Sequence, residues 1–344
     1  MDRPGVPTRR RLLTVITGAA GALCVPHVAR ASVPVIRYAM GGGLGPNGIE
    51  TLFFTEFMQK NVLRRYGKDY TLDVTYTRGT PEAASLMAAE RVDLATQACA
   101  SLATVIDKDA VPGGMKVIAD IHDVKPGYSQ IPFFVLAGSP IERVADLRGK
   151  TIAVNAFGTL VDLVARTVLR KNGLDPRKDV RLVEISFPSI GPALRANRVQ
   201  GGFLPVPYGV TESSKGGVRE LFNAMDAFPA SFANLFQAAR VNFLKTSGDA
   251  VRAWLDDYVT GLHWLYEPSN RVAAVALAAE VSQSPPALLD TFFLTDKDYF
   301  RNLNACLTAS MLQGPVDAMR EQGLLTSAVD TAPYVDMSYL PRPC

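Results

Sequence analysis

The chain has 344 residues, 48% of them hydrophobic, with 36 basic side chains, 33 acidic side chains and four cysteines. That is enough apolar material for two cores of ordinary domain size. Residues 1–31 carry five of the basic groups and one acidic group. Without them the balance is 31 against 32, a net charge of about −1, with no basic block to suit nucleic acid.

Those first residues, "TRRRLLTVITGAAGALCVPHVARA", read as an export signal. Paired arginines precede an apolar core from Leu12 to about Val25, and Ala29-Arg30-Ala31 offers a small-x-small cleavage site, so processing is expected near Ala31. Thr8 to Leu13 fits the twin-arginine export pattern. The apolar core is shorter than the roughly 20 residues that a membrane-crossing helix needs. Cys24 follows the large Leu23, which disfavours lipid attachment. The expected location is the periplasm.

From Val33 onward, short apolar runs alternate with helical patterns. "VIRYAM" predicts a strand, and Ile49 to Tyr66 an amphipathic helix. "YTLDVTYT" predicts a second strand, "TPEAASLMAAERV" a helix, "DLATQA" a third strand and "MKVIADI" a fourth. After "QIPFFVLAGS" the same grammar repeats. "KTIAVN" is a strand, "TLVDLVARTVLRKNG" a helix closed by Gly173, "DVRLVEIS" a strand, "SIGPALRANRV" a helix and "GGFLPV" a strand. "FANLFQAARVNFL" could carry the chain back, and Asp249 to about Leu325 is mainly helical. Strand–helix alternation of this kind predicts an α/β protein with mostly parallel sheets. Two such sheets with their strand carboxyl ends facing each other make a cleft for a ligand.

The stretches "VADLRGKTIAVN", "KNGLDPRKDVRLVEI" and "ALRANRV" resemble the second lobe of periplasmic solute-binding proteins of ABC importers. The resemblance is to their nitrate/sulfonate/taurine and thiamine-pyrimidine-precursor branch. "YTLDVTYTRGTPEAASLMAAERVDLATQA" resembles the first lobe, and "VNFLKTSGDAVRAWLDDYVTGLHWLYE" the helical return. The resemblance implies a type II two-lobed fold, with two crossing strands between lobes and a helical C-terminal part. Residues 32–130 with 236–344 would form lobe 1, and 131–235 lobe 2. It also implies a monomer without cofactor that captures a small organic solute by hinge closure. The solute would pass to an ABC permease and its ATPase subunit. One position departs from the pattern: lobe 2 should repeat the acidic turn at Val92-Asp93, and "NRVQGGFLPVPYG" shows Gly201 and Gly202 there. The first glycine loop and "TRGTPEAA" also resemble receptors of TRAP-type transporters, so a TRAP-type or sensory receptor stays open. Thiamine-pyrimidine synthases share the likeness, but they are not exported and use a lysine-bound cofactor.

"GLGPNG", Gly43 to Gly48, satisfies G-x-G-x-x-G between strand and helix. No acidic residue ends the next strand, which argues for a ligand loop, with Leu44 and Asn47, over a dinucleotide site. Thr159-Leu160-Val161-Asp162 matches a capping box, so a helix should open near Gly158 with free N–H groups and a positive dipole end. Asn155, Phe157, Gly158 and Thr159 are therefore candidate ligand residues. Gly79, Thr80 and Gln97 are their counterparts in the first lobe, and Phe187, Pro205 and Tyr208 follow later strands. His122 and His263 stand in unremarkable contexts, with His263 read as structural and Asp256-Asp257 as a helical surface pair. No nucleophile elbow appears, so no catalytic residue and no enzyme activity is expected. No Cys/His cluster suggests a metal. The remaining cysteines, Cys99, Cys306 and Cys344, allow a Cys99–Cys306 bridge but form no disulfide framework.

Overall fold

The structure, a computed structural model, describes residues 32–41 and 49–344. The export signal and the loop residues Leu44 and Asn47 lie outside the described residues. The chain opens with β1 (Val35–Gly41), α1 (Glu50–Phe53), α2 (Glu56–Asn61), β2 (Thr71–Thr77), α3 (Thr80–Ala88), β3 (Leu94–Gln97), α4 (Cys99–Asp107) and β4 (Met115–Val124). It crosses into β5 (Phe133–Leu136), β6 (Thr151–Val154), α5 (Leu160–Lys171), β7 (Arg181–Glu184), α6 (Phe187–Arg195), β8 (Gly201–Phe203), α7 (Tyr208–Ser214), β9 (Val218–Phe222) and α8 (Ala224–Ala227). It returns through β10 (Phe232–Arg240) to α9 (Val241–Tyr266), α10 (Arg271–Ser282), α11 (Pro286–Leu289) and α12 (Ser310–Glu321).

The strands form two five-stranded sheets, ordered β2-β1-β3-β10-β4 and β7-β6-β8-β5-β9. In each sheet only the strand that arrives from the other lobe, β10 or β5, runs antiparallel to the other four. The exchange seats each crossing chain in the sheet it enters, while the crossing segments themselves, 125–132 and 223–231, lie outside the strands and are tied to each other by Ala224 N bonded to Gln130 O. One apolar cluster spans both lobes, joining Leu102 of α4, Phe236 of β10 and Leu312 of α12 to Leu163 and Val168 of α5. A second centres in the first lobe on Trp254, which is fully buried and meets Tyr38, Phe53 and Tyr70 edge-on, and it takes in Val206 from the other lobe. Edge-to-face aromatic pairs of this kind add about 0.5–1.5 kcal/mol each beyond area burial.

The acidic turn has a mechanical role. Asp93, buried at the start of β3, accepts the Arg37 N–H at 3.1 Å and the guanidinium of Arg37, and Arg240 reaches it at 2.9 Å. In the second lobe the corresponding residue is Gln200, whose Oε1 accepts the Thr151 N–H at 3.1 Å. The two positions match in the backbone as well, since Asp93 N bonds Arg37 O and Gln200 N bonds Thr151 O, both at 2.8 Å. The departure read at Gly201 and Gly202 is thus an Asp-to-Gln exchange one residue earlier, with the same acceptor in place.

Four sequence expectations need correcting. The helix expected over 49–66 is two short helices, because Thr55 caps α2 by accepting the Met58 N–H and donating to Leu52 O at 2.6 Å. Asp257 is not a surface residue. It is 1% exposed and accepts the N–H groups of Arg64, Arg65 and Tyr66 and the hydroxyl of Tyr70, clasping the 64–70 turn to α9. Its neighbour Asp256 does lie at the surface, beside Arg65. Cys306 is bonded to Cys344, not Cys99, which is buried and free. That bridge ties the irregular C-terminal tail to the first lobe. His263 is exposed beside Asn304, not built into a core.

Candidate functional site

The carboxyl ends of the parallel strands in both sheets face one cleft, and a small chamber of about 70 Å³ lies between them. Its first-lobe wall is Gly41 at the end of β1, Thr80 at the start of α3, Ala98 after β3, His122 near the end of β4 and Asn234 at the start of β10. Asn155, Thr159, Leu160 and Val161 after β6, with Phe187, Phe203 and Pro205, form the wall of the second lobe. At about 10–15 Å³ per water, the chamber of about 70 Å³ has room for roughly five to seven. Outside it a wider cleft of about 960 Å³ is lined by Tyr76, Arg78, Glu82, Phe157, Glu184 and Tyr208, among others. Gly79, Asn155 and Phe187 belong to both spaces.

The beginnings of α3 and α5 meet here from opposite lobes. A Cβ placed on Gly79 would lie 3.4 Å from Thr159 Cγ2 and 3.5 Å from Asn155 Nδ2, and one on Gly158 would lie 3.6 Å from Pro81. The lobes therefore touch at the chamber's edge. Thr159 caps α5, its hydroxyl accepting the Asp162 N–H at 3.3 Å and donating to Ala156 O at 2.8 Å. Gly158 has φ +73°, a conformation that favours glycine. Its N–H goes to Asp162 Oδ2 at 3.0 Å, and the Phe157 N–H goes to Glu184 at 2.6 Å. Leu160 and Val161, the first two residues of α5, are left with N–H groups that have no acceptor among the described residues. On α3, Pro81 has no N–H, and among the described residues neither the Thr80 N–H nor its buried hydroxyl has a partner. Unbonded first-turn donors and aligned peptide dipoles place roughly half a positive charge at each helix start.

His122 was the residue that sequence reading passed over. It is 1% exposed, stacks on Tyr299 with ring centres 4.2 Å apart, and places Nδ1 3.4 Å from the Asn234 amide nitrogen. Burial, and then the nearby Arg301 charge, hold its pKa well below the ordinary histidine value, so the ring is neutral. On the same strand Asp120 and Asp123 are both pushed up by burial, Asp123 to about 7; the Asp123 carboxylate raises Asp120 further, whereas the hydrogen bond from Asp120 draws Asp123 back down. Among the described residues no lysine or arginine lines the chamber. The wall is neutral and rich in donors.

The other sequence candidates fall in several places. Gly79, Thr80, Asn155, Thr159, Phe187 and Pro205 line the chamber, and Phe157 and Tyr208 line the outer cleft. Tyr208 opens α7 and does not extend a strand, since β8 stops at Phe203. Gly158 abuts Pro81 across the cleft, with its N–H committed to Asp162. Gln97 is buried one residue from the chamber wall, with no partner for either side-chain polar atom among the described residues. Its position at the carboxyl end of β3 was legible. That of His122 was not, because its strand "MKVIADIHDV" reads as continuous core. Among the described residues no group of His, Cys, Asp and Glu could hold a metal ion.

Residues 64–270 match the model of the family described as NMT1/THI5 like. The fold is similar to that of the alkanesulfonate-binding protein SsuA from Xanthomonas axonopodis pv. citri bound to MOPS. The identity is 19%, over 89% of this chain and 99% of that one, with a TM-score of 0.70. It is also similar to the periplasmic nitrate-binding protein NrtA from Synechocystis PCC 6803, at 13% identity, 89% and 87% coverage and a TM-score of 0.66. The desulfurization enzyme DSZB is similar at 15% identity, 89% and 97% coverage and a TM-score of 0.59. These likenesses show the two-lobed periplasmic binding protein fold. No curated protein matches the chain by sequence.

Proposed function

Because this chain belongs to the NMT1/THI5-like family, we propose that it is the solute-capturing component of an ABC-type importer, working in the periplasm. It closes two lobes over a small organic solute and presents the closed form to a permease and its ATPase. The observation that carries this reading is the convergence of two helix starts, one from each lobe, on a single buried chamber with unbonded donors. Such donors suit an acceptor-rich end, a carboxylate or a sulfonate, held without any cationic side chain. The aromatic walls, Phe187, Phe203 and Tyr299 within and Phe157, Tyr76 and Tyr208 outside, suit a solute whose other end is apolar or aromatic.

Donors on both lobes are what would make capture and closure one event. A solute touching α3 and α5 together binds only when the lobes meet, so its binding energy shifts the population toward the closed form. A micromolar affinity corresponds to roughly −8 kcal/mol, within reach of a few buried hydrogen bonds and one aromatic contact. The sulfonate-binding neighbour supports a sulfonate as one candidate end group.

The test is a thermal-shift and native mass-spectrometry screen of small carboxylates and sulfonates on the purified protein, followed by solution scattering. Binding with a smaller radius of gyration, weakened by Thr159→Pro and by Tyr208→Ala in variants that still fold, supports the reading. Steady conversion of a bound compound to product would replace it with an enzyme on the same fold, as DSZB illustrates.

A further inference from the structure

We infer that His122 is the residue that selects solutes for the chamber, presenting Nε2–H as a neutral donor to an acceptor-only end group, and that Asn234 sets this role by fixing the ring's tautomer. The inference rests on the proposed function and adds to it the hydrogen-bond polarity of the solute's buried end.

The Asn234 amide nitrogen lies 3.4 Å from His122 Nδ1, and a carboxamide N–H can only donate, so Nδ1 accepts. A neutral imidazole carries one proton, which then sits on Nε2. Nε2 is buried and has no partner among the described residues. Tyr299 stacks on the ring at 4.2 Å and limits its rotation, and all three residues line the chamber. The groups that could alter the ring's charge are Asp120 and Asp123 on its own strand and Arg301 from the segment beside Tyr299. The carboxyls are held toward their neutral forms, and Arg301 opposes protonation of the ring. The result is a fixed donor without an acceptor among the described residues.

That unpaired donor has a selective consequence. A buried donor left unpaired costs about 1–3 kcal/mol, and a solute oxygen repairs it. A solute end that itself brings N–H groups meets Nε2–H, Leu160 N–H, Val161 N–H and Thr80 N–H, a set of donors facing a donor. A site built this way rejects the mismatched analogue more strongly than it rejects a change of size. The chamber should therefore separate carboxylates and sulfonates from amides and amines of the same shape.

The test uses benzoate and benzenesulfonate against benzamide and benzylamine, by calorimetry on the purified protein, together with nitrogen NMR of the His122 ring. Expected results are binding of at least one anion and a preference of tenfold or more over benzamide and benzylamine. His122→Phe, which keeps an aromatic stack, should lose about tenfold in anion affinity, and His122→Gln, which restores an amide donor, should recover part of it. Asn234→Asp should draw the ring proton to Nδ1 and weaken the anion although ring and stack remain, an effect that a merely structural asparagine would not produce. Anions that bind equally well to wild type and His122→Phe, or a preference for benzylamine or benzamide, would overturn the inference and leave the capture function standing. If none of the four probes binds, the aromatic-anion reading of the proposed function fails, and the NMR spectrum alone decides. A proton on Nδ1 overturns the inference, and one on Nε2 supports it.

Discussion

Gly79 is the position where solute capture and lobe contact can be separated from folding. Its φ is 179°, an extended backbone that any residue adopts, so a side chain there brings no backbone strain. A Cβ would meet Thr159 Cγ2 at 3.4 Å, Asn155 Nδ2 at 3.5 Å and Ala156 Cβ at 3.6 Å, all ordinary contacts. Gly79→Ala should therefore be accommodated, with affinity within about twofold of wild type. Gly79→Leu adds three more carbon atoms, directed into the opposite lobe at the start of α5. Overfilling a packed contact costs roughly 1–3 kcal/mol. Here the cost falls only on the form in which the lobes touch, since separation relieves it. A binding equilibrium that requires closure should then weaken by about 5- to 150-fold, while the melting temperature stays within about 2 °C. Calorimetry with benzoate or benzenesulfonate, differential scanning fluorimetry and solution scattering would measure the three quantities. Gly79→Leu should also show a larger radius of gyration. If the variant binds as tightly as wild type, or melts lower in proportion to the strain, the two-sided chamber is wrong.

Three further outcomes are expected. Glu50 is fully buried, and burial raises its carboxyl from 4.5 to about 7, so the folded state holds a proton that the unfolded chain releases earlier. Its stabilising contribution is complete below about pH 4.5 and is lost as pH rises through 7, roughly 3 kcal/mol in all. Glu50→Gln should thus flatten part of the fall in melting temperature between pH 5 and 8, and a wild-type profile that rises over that range would contradict this. Asp257→Leu strands the Arg64, Arg65 and Tyr66 N–H groups and the Tyr70 hydroxyl, and should cost about 3–5 kcal/mol in chemical denaturation, against almost nothing for Asp256→Ala. Cys344→Ser opens a loop of 38 residues, worth about 4 kcal/mol by loop-closure entropy, and should release the tail to proteolysis without changing solute affinity.

Local patterns in the chain marked the regular elements well, because each reports on its own backbone. The alternation of apolar runs with helical stretches foreshadowed both sheets, and Thr159-x-x-Asp162 put the start of α5 near Gly158, two residues before its first residue, Leu160. The break after Val154, with Asn155, Gly158 and Thr159 in succession, placed backbone donors at the edge of the cleft. Where local pattern failed, a distant residue had intervened. The helix expected at 49–66 was interrupted by a threonine whose side chain competes with the backbone. Asp257 looked exposed because nothing within one turn of α9 reveals that the 64–70 turn sits over it. Cys306 chose Cys344 because the tail runs back across β4, with Asp336 N bonded to Val117 O.

The amino-acid sequence by itself determined the alternating α/β grammar, the two-lobed resemblance and the helix start that offers free N–H groups. These follow from residue periodicity, capping chemistry and turn residues, interactions that span only a few positions. Tertiary structure alone decided that α3 and α5 meet across one cleft, that Gln200 stands in for an aspartate, and that His122 faces a chamber instead of a core. Those outcomes depend on which strands become neighbours once β5 and β10 are exchanged between sheets, and no window of adjacent residues carries that information.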